Sequence, residues 1–266
     1  MSGFTHREVL PGVFHIRDAM GVYMTLLAGD ERALLVDCGY GLEDVAAFVR
    51  TLTDKPLTVL LTHAHHDHAL GAMWFERTVI FEQDRAEFSV YTGEAQRRRV
   101  AAQAREKGLD VPQSYLTKTI PMPGRLEAGR IDLGGMTVQV ILCPGHTPGS
   151  AVIAVPERRL LLTGDDWNPC TWLFFPEALS AQAYRRNVRT LLDLPFDHVL
   201  CSHREALYPR AALEEFLAGL TDEALRAAKK VSLGHPADTR EAVPAPGQQF
   251  VFDYVKADLD GKEDRR

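Results

Sequence analysis

Residues 61–71 read LTHAHHDHALG. His63, His65, His66 and His68, with Asp67, crowd into one short stretch of a chain that holds 10 histidines. Such a cluster is open to three readings: a metal site, a solvated polar turn, or the remnant of a purification tag. The places where other apolar runs end favour the first. TVQVILC runs into Pro144-Gly145-His146, RLLLT into Gly164-Asp165, and HVLC into Ser202-His203. LTVLLT runs into the cluster itself. Strands that each deliver His or Asp at the C-terminal end can hold polar groups at one rim while their apolar bodies anchor a core. Neutral imidazole and carboxylate suit Zn²⁺ and also iron or manganese. His63, His65 and His146 can hold one cation, Asp67, His68 and His203 a second, and Asp165 can bridge them. Two such ions about 3.5–4 Å apart bring a shared water to a pKa of about 7 and polarise a substrate carbonyl. Asp67, Asp165 and one hydroxide balance most of the charge of two divalent ions.

The elements that must position these groups are legible in outline. GVFHIRDA (12–19), GVYMTLLAG (21–29) and RALLVDCG (32–39) are short β-rich runs broken by Gly or charge. GLEDVAAFVRTL (41–52) spaces its apolar residues as an amphipathic helix does. Strands are expected at 57–62 and 77–83. Residues 84–126 interrupt the rhythm with a helix at about 94–107 and a Pro-rich exit, either a lid or a crossover helix on the sheet. Strand runs resume at 130–135, 136–143, 150–155, 159–166 and 197–203. A helix over 180–194 starts at Ser180 as N-cap. Helices at 209–219 and about 221–230 precede a last strand, QQFVFDYV (248–255). The tail at about 257–266 is charged and expected to fray. Its DLDG has too few residues after it for a calcium loop. No Gly/Ser linker divides the chain, so 1–266 reads as one domain: two sheets face to face with outer helices, an α+β, four-layer sandwich.

Composition narrows the function. The chain has 266 residues, 45% hydrophobic and 25% charged, ordinary for a protein with a real core. A net charge of −6 speaks against long nucleic acids as partners. Arg97-Arg98-Arg99 and Lys229-Lys230 read as solvated helix faces. No apolar run approaches the roughly 20 residues a membrane helix needs. MSGFTHREVLPG has no apolar signal core. A cytoplasmic enzyme with a small-molecule substrate is expected, with neither nucleic acid nor membrane as partner, and with room for a homodimer. Cys38, Cys143, Cys170 and Cys201 form no CxxC pair and read as packing.

HAHHDH resembles the HxHxDH motif of the metallo-β-lactamase-fold superfamily. PGHTPGS (144–150), TGDD (163–166) and CSH (201–203) resemble its further metal motifs, in the family's order. LLVDCG (34–39) resembles its strand before the first helix. The resemblance implies an αβ/βα sandwich with a metal site at one edge of the sheets. It implies that Asp37 buttresses the metal loop rather than binding metal. PGHTPGS with TGD is most similar to the glyoxalase II-like branch, hydrolases of thioesters. Two departures matter: the segment after TGD is aromatic, and only 63 residues follow His203. The expected enzyme is a dinuclear metal-dependent hydrolase, with Zn²⁺ first and Mn²⁺ or Fe²⁺ as alternatives. Its bridging hydroxide would attack a thioester, lactone or other ester carbonyl, oriented by Asp67 or Asp165. Lactonase and β-lactamase activities fit the same site. A mononuclear iron persulfide dioxygenase-like enzyme is the redox alternative.

DWNPCTWLFFPE (166–177) follows the bridging Asp directly, and Trp167 is expected to line the substrate pocket. Asp166 is expected either to hydrogen-bond the metal loop or to face water, with water favoured. His66 should point away from the metals. His6, His15, His198 and His235 read as structural.

Overall fold

The computed structural model describes residues 3–234, 236–257 and 259. His235 and most of the expected frayed tail lie outside the described residues. Seven strands form the first sheet in chain order: β1 (Thr5–Leu10), β2 (Val13–Arg17), β3 (Tyr23–Ala28), β4 (Ala33–Val36), β5 (Leu57–Leu60), β6 (Val79–Ile80) and β7 (Gly124–Arg125). The second sheet holds β8 (Gly129–Asp132), β9 (Thr137–Leu142), β10 (Ala151–Val155) and β11 (Leu160–Leu162). β12 (Cys170–Leu173) leaves it, and β13 (His198–Leu200) and β14 (Tyr208–Pro209) return to its far edge. A third sheet, not expected from the sequence, joins β12 to β15 (Lys229–Lys230), β16 (Thr239–Ala245) and β17 (Gln248–Asp253). Lys229-Lys230 thus lie in a strand rather than on a helix face.

Alternation along the strands decides the layers. Val13, Leu27, Leu34 and Leu60 of the first sheet meet Val138, Val140, Ile153 and Leu160 of the second in one inner core. The opposite faces carry the helices. Ile16, Met24, Leu26 and Leu35 pack against α1 (Val45–Val49) and α2 (His66–Ala69). Behind the second sheet, Val152, Leu161 and Val199 pack on α5 (Ala181–Arg189), α6 (Arg210–Gly219), α7 (Asp222–Arg226) and the third sheet. The result is the four-layer α+β sandwich. Between α2 and β7 lie α3 (Arg85–Tyr91) and α4 (Glu94–Glu106). Val100, Ala101 and Ala104 of α4 pack on Leu42, Leu70 and Met73, so this segment has its own small core.

Three positions correct expected boundaries. The first helix is five residues long because Gly39 and Gly41 hold left-handed turns at φ +71° and delay its start to Val45. The 180–194 helix tightens into a 3-10 turn over Thr190–Asp193. α6 begins at Arg210 with Pro209 as its cap.

No described helix is long and apolar enough to cross a membrane.

Candidate metal centre

Strand order brings the donors to one rim. β11 and β13 are parallel neighbours with Leu162 in register with Leu200. Asp165 and His203 therefore stand at equal offsets past adjacent strand ends. β4 and β5 are likewise parallel, with Val36 opposite Leu60, which sets Asp37 beside the start of the histidine loop. Ala151 N–H donates to Thr62 O at 2.8 Å and Tyr23 N–H to Ser202 O at 2.8 Å, pinning the two sheets together at this rim. Gly164 turns at φ +53°, and a Cβ there would lie 3.0 Å from Thr62. Glycine is required for that close approach.

All seven expected donors converge. His63, His65 and His146 form one compact triad, and Asp67, His68 and His203 another, the donor atoms in each within 4.8 Å of one another. His63, His68 and Asp165 make a third set of the same size that overlaps both. Asp165 Oδ2 lies 3.0 Å from His203 Nε2, 3.5 Å from His68 Nε2 and 3.7 Å from His146 Nε2. His66 stands apart from the three sets, near the Tyr40 ring at 5.6 Å.

Each ligand-type imidazole in the buried part of the site has its outer nitrogen engaged. His146 Nδ1–H donates to Trp172 O at 2.6 Å. His65 Nε2–H donates to Glu177 Oε1 at 2.7 Å, and His68 Nδ1–H to Asp37 Oδ2 at 2.9 Å. Thr62 gives its hydroxyl proton to Asp37, so it accepts from His63 Nδ1–H at 3.0 Å. These bonds fix the tautomers and leave four lone pairs aimed inward, the arrangement metal-binding histidines require. The inner atoms then lack partners: His63 Nε2, His68 Nε2 and Asp165 Oδ1 are buried without a hydrogen bond. His65 Nδ1 and His146 Nε2 face each other at 2.9 Å. Two lone pairs that close repel unless a proton or cation lies between them. Burial, with His65 beside it, lowers His146 to about 4, which disfavours the proton. Burial and the neighbouring imidazoles also hold His63 well below the usual range. The residues present fit divalent cations.

The carboxylates act in the opposite sense. Burial opposes ionisation of Asp165, but His203 and His68 hold it well below the usual range. Burial lowers His68, and Asp67, Asp165 and Asp37 more than reverse that.

Supporting residues missed in the sequence carry much of this geometry. Glu177 accepts from both His65 and Tyr91 Oη, the latter at 2.6 Å. Burial alone would raise Glu177, but those two bonds bring it to about 2. Asp84 accepts from Ala64 N–H at 3.0 Å, Thr147 Oγ1–H at 2.8 Å and Gly149 N–H at 2.6 Å, tying two donor loops together. Asp166 does not face water: it is buried, and its Oδ1 accepts from His146 N–H at 2.9 Å.

Beside the centre opens a cleft of about 400 Å³, walled by Tyr40, Tyr91, Trp172 and Phe175, with Gln103 and Arg204 at its edges. Trp167 is not among the lining residues. It is fully buried and packs edge-on to Tyr208 and Phe216 behind the second sheet. Pairing of β12 with β17 turns the chain after Asp166, so Trp172 rather than Trp167 reaches the cleft. Trp167→Ala is expected to cost about 3–5 kcal/mol of stability, as large-to-small core changes do. Thermal unfolding checks this against KM of the folded fraction, which should hold; a raised KM at unchanged stability would return Trp167 to the cleft.

Comparison with known proteins identifies the family. The family model described as "Metallo-beta-lactamase superfamily" matches residues 17–203. The acyl-coenzyme A thioesterase MBLAC2 of Gallus gallus is 25% identical over 193 residues, spanning 64% of this chain and 69% of the relative. The crystal structure of TTHA1623 in a di-iron-bound form is 27% identical, with TM-score 0.53, over 73% of this chain and 91% of that one. The sec-alkylsulfatase Pisa1 from Pseudomonas sp. superposes with TM-score 0.62 at 19% identity, covering 85% of this chain but only 43% of its own. That likeness shows the fold alone. With the fold, the order of the donor loops and the family match in agreement, the chain belongs to the metallo-beta-lactamase superfamily.

Proposed function

We propose that this metal-dependent hydrolase cleaves thioesters of the coenzyme A type, using two divalent cations held by His63, His65, His146, Asp67, His68, Asp165 and His203. The observation that carries the metal is the pair of inward lone pairs on His65 and His146 at 2.9 Å, beside three buried donor atoms without partners. The set of His63, His68 and Asp165 shares one residue with each of the other two sets, which supports two neighbouring cations rather than one. Zn²⁺ suits five imidazoles and two carboxylates, and the same donors accept Fe²⁺ or Mn²⁺. When bound, such ions supply Lewis acidity toward a carbonyl and a water acidic enough to attack it.

The chain's own residues do the rest. Asp67 and Asp165 lie on the cleft side of the donors and accept the protons of an attacking water, setting its orientation. Tyr91, Trp172 and Phe175 give the substrate an apolar wall and keep bulk water out of the cleft. A thiolate leaves without a strong acid's help, since thiols ionise near about 8.5. The thioester reading is supported by the acyl-coenzyme A thioesterase among the relatives.

The test is a hydrolysis panel of acyl-coenzyme A, lactones, phosphodiesters and β-lactams on zinc-, manganese- and iron-loaded protein, with metal analysis. Two ions per chain are expected. The kcat/KM for a thioester should exceed that for a lactone or β-lactam by about tenfold or more. A preferred lactone, or one iron with oxygen uptake, would overturn the reading.

A further inference from the structure

The inner face of the first sheet is apolar only where the second sheet covers it. Register places Arg7 beside His15, Arg17 beside Tyr23, and His15 beside Thr25. Paired residues share a face, and so do alternate residues along a strand. Arg7, His15, Arg17 and Tyr23 therefore project on the same side as Val13 and Leu27, which the inner core buries. Beyond that cover they line an open pocket of about 490 Å³. The pocket is separate from the metal cleft, and consecutive residues of one loop border the two. His203 and Arg204 border the cleft, and Glu205 borders the pocket. Arg7 Nη2 donates to Glu205 O at 3.2 Å, and the His15 ring bonds Arg204 O at 3.0 Å.

The pocket carries a net positive charge. Neither Arg7 nor Arg17 forms an ion pair within 4.0 Å among the described residues. His15 is buried, stacked on Tyr23 at 4.5 Å and bonded through both nitrogens. Burial lowers it to about 4, so it is neutral near pH 7. Glu205 is the opposing charge, which leaves two guanidiniums against one carboxylate. Guanidinium forks match the oxygens of a phosphate in pairs. A free carboxylate ligand would use one fork; two guanidiniums without a carboxylate partner, Arg7 held by Glu205 O and Arg17 by the Tyr23 hydroxyl, suit a phosphate or pyrophosphate.

We propose that this pocket binds a phosphate group, carried by the leaving portion of a thioester whose carbonyl lies at the metal centre. The proposal rests on the thioester reading above. It makes Arg7 and Arg17 specificity residues that act across the 203–205 loop from the reacting atoms.

The test uses the metal-loaded full chain and two substrates with the same acyl group: an acyl-coenzyme A and the acyl-pantetheine that lacks its phosphates. The readout is the ratio of their kcat/KM values. Arg7→Gln with Arg17→Gln should lower that ratio by about tenfold or more, through KM of the phosphorylated substrate. Glu205→Gln should raise it, and this single change at an exposed loop keeps the test open if the double variant folds poorly. An unchanged ratio in both variants would overturn the proposal. Calorimetric titration with inorganic pyrophosphate separates the sources. Pyrophosphate bound by the wild type and lost in the double variant, with the substrate ratio unmoved, would assign the pocket to a free anion and overturn the substrate role. If no thioester is cleaved at all, the thioester reading and the substrate role fail together. Pyrophosphate binding that needs both arginines then keeps the anion site alone; its absence removes that too.

Discussion

Replacing Asp165 with asparagine is expected to lower kcat/KM by about a thousandfold, some 4 kcal/mol of transition-state stabilisation. Bound metal should fall from two ions to one. Asp165 Oδ2 stands within 3.7 Å of three imidazole nitrogens, one in the first triad and two in the second. Asparagine has nearly the same shape, so packing is retained. The negative charge between the two triads is lost, and one of the two oxygens becomes a donor that opposes any cation. Only Asp67 then offsets the charge of two ions. The triad of His63, His65 and His146 does not include Asp165, so one ion should remain. Metal analysis beside steady-state kinetics checks both halves. Two retained ions with a rate within about tenfold of wild type would remove Asp165 from the bridging position.

The donors were legible because each ends an apolar run, and strand order then forced them to one rim. Asp165 and His203 show the logic: adjacent parallel strands, register at Leu162 and Leu200, equal offsets. Sequence could not show which residues hold the donors still. Glu177 lies 112 positions from His65, on a loop with no motif, and its role exists only once the third sheet has turned the chain. Asp84 reads as one more charge at a helix start, yet it is buried and bonds three groups on two loops. The third sheet hid for a related reason. β15 is two residues long, and β16 contains Pro244, so neither shows the alternation that marks a strand. Trp167 failed through that omission. Without β12, Trp167, two residues past Asp165, is expected to face the metals, whereas pairing with β17 sends Trp167 into the core and gives the cleft Trp172.

Asp37 supplies the second large effect, and two substitutions there separate stability from metal binding. Asp37 is 1% exposed and sits at φ +66°. Its carboxylate accepts from Thr62 N–H at 2.7 Å, Thr62 Oγ1–H at 2.9 Å and His68 Nδ1–H at 2.9 Å. Asp37→Ala strands those buried donors and is expected to cost about 3–5 kcal/mol, as breaking a buried pair does. The left-handed backbone adds about 1–2 kcal/mol, since alanine gains no side-chain bond there. Asp37→Asn should behave differently. Its oxygen can still accept from Thr62, so the fold survives. Its amide, however, faces His68 Nδ1 with a donor. His68 must then carry its proton on Nε2, the nitrogen that points at Asp67 and Asp165. A protonated Nε2 cannot bind a cation, so metal affinity should fall by about 10–100-fold, the range for lost partners behind a ligand. Thermal unfolding of metal-free protein and a competitive chelator titration measure the two effects separately. An Asn variant that loads metal as the wild type does would show that Asp37 supports the loop without setting the tautomer of His68.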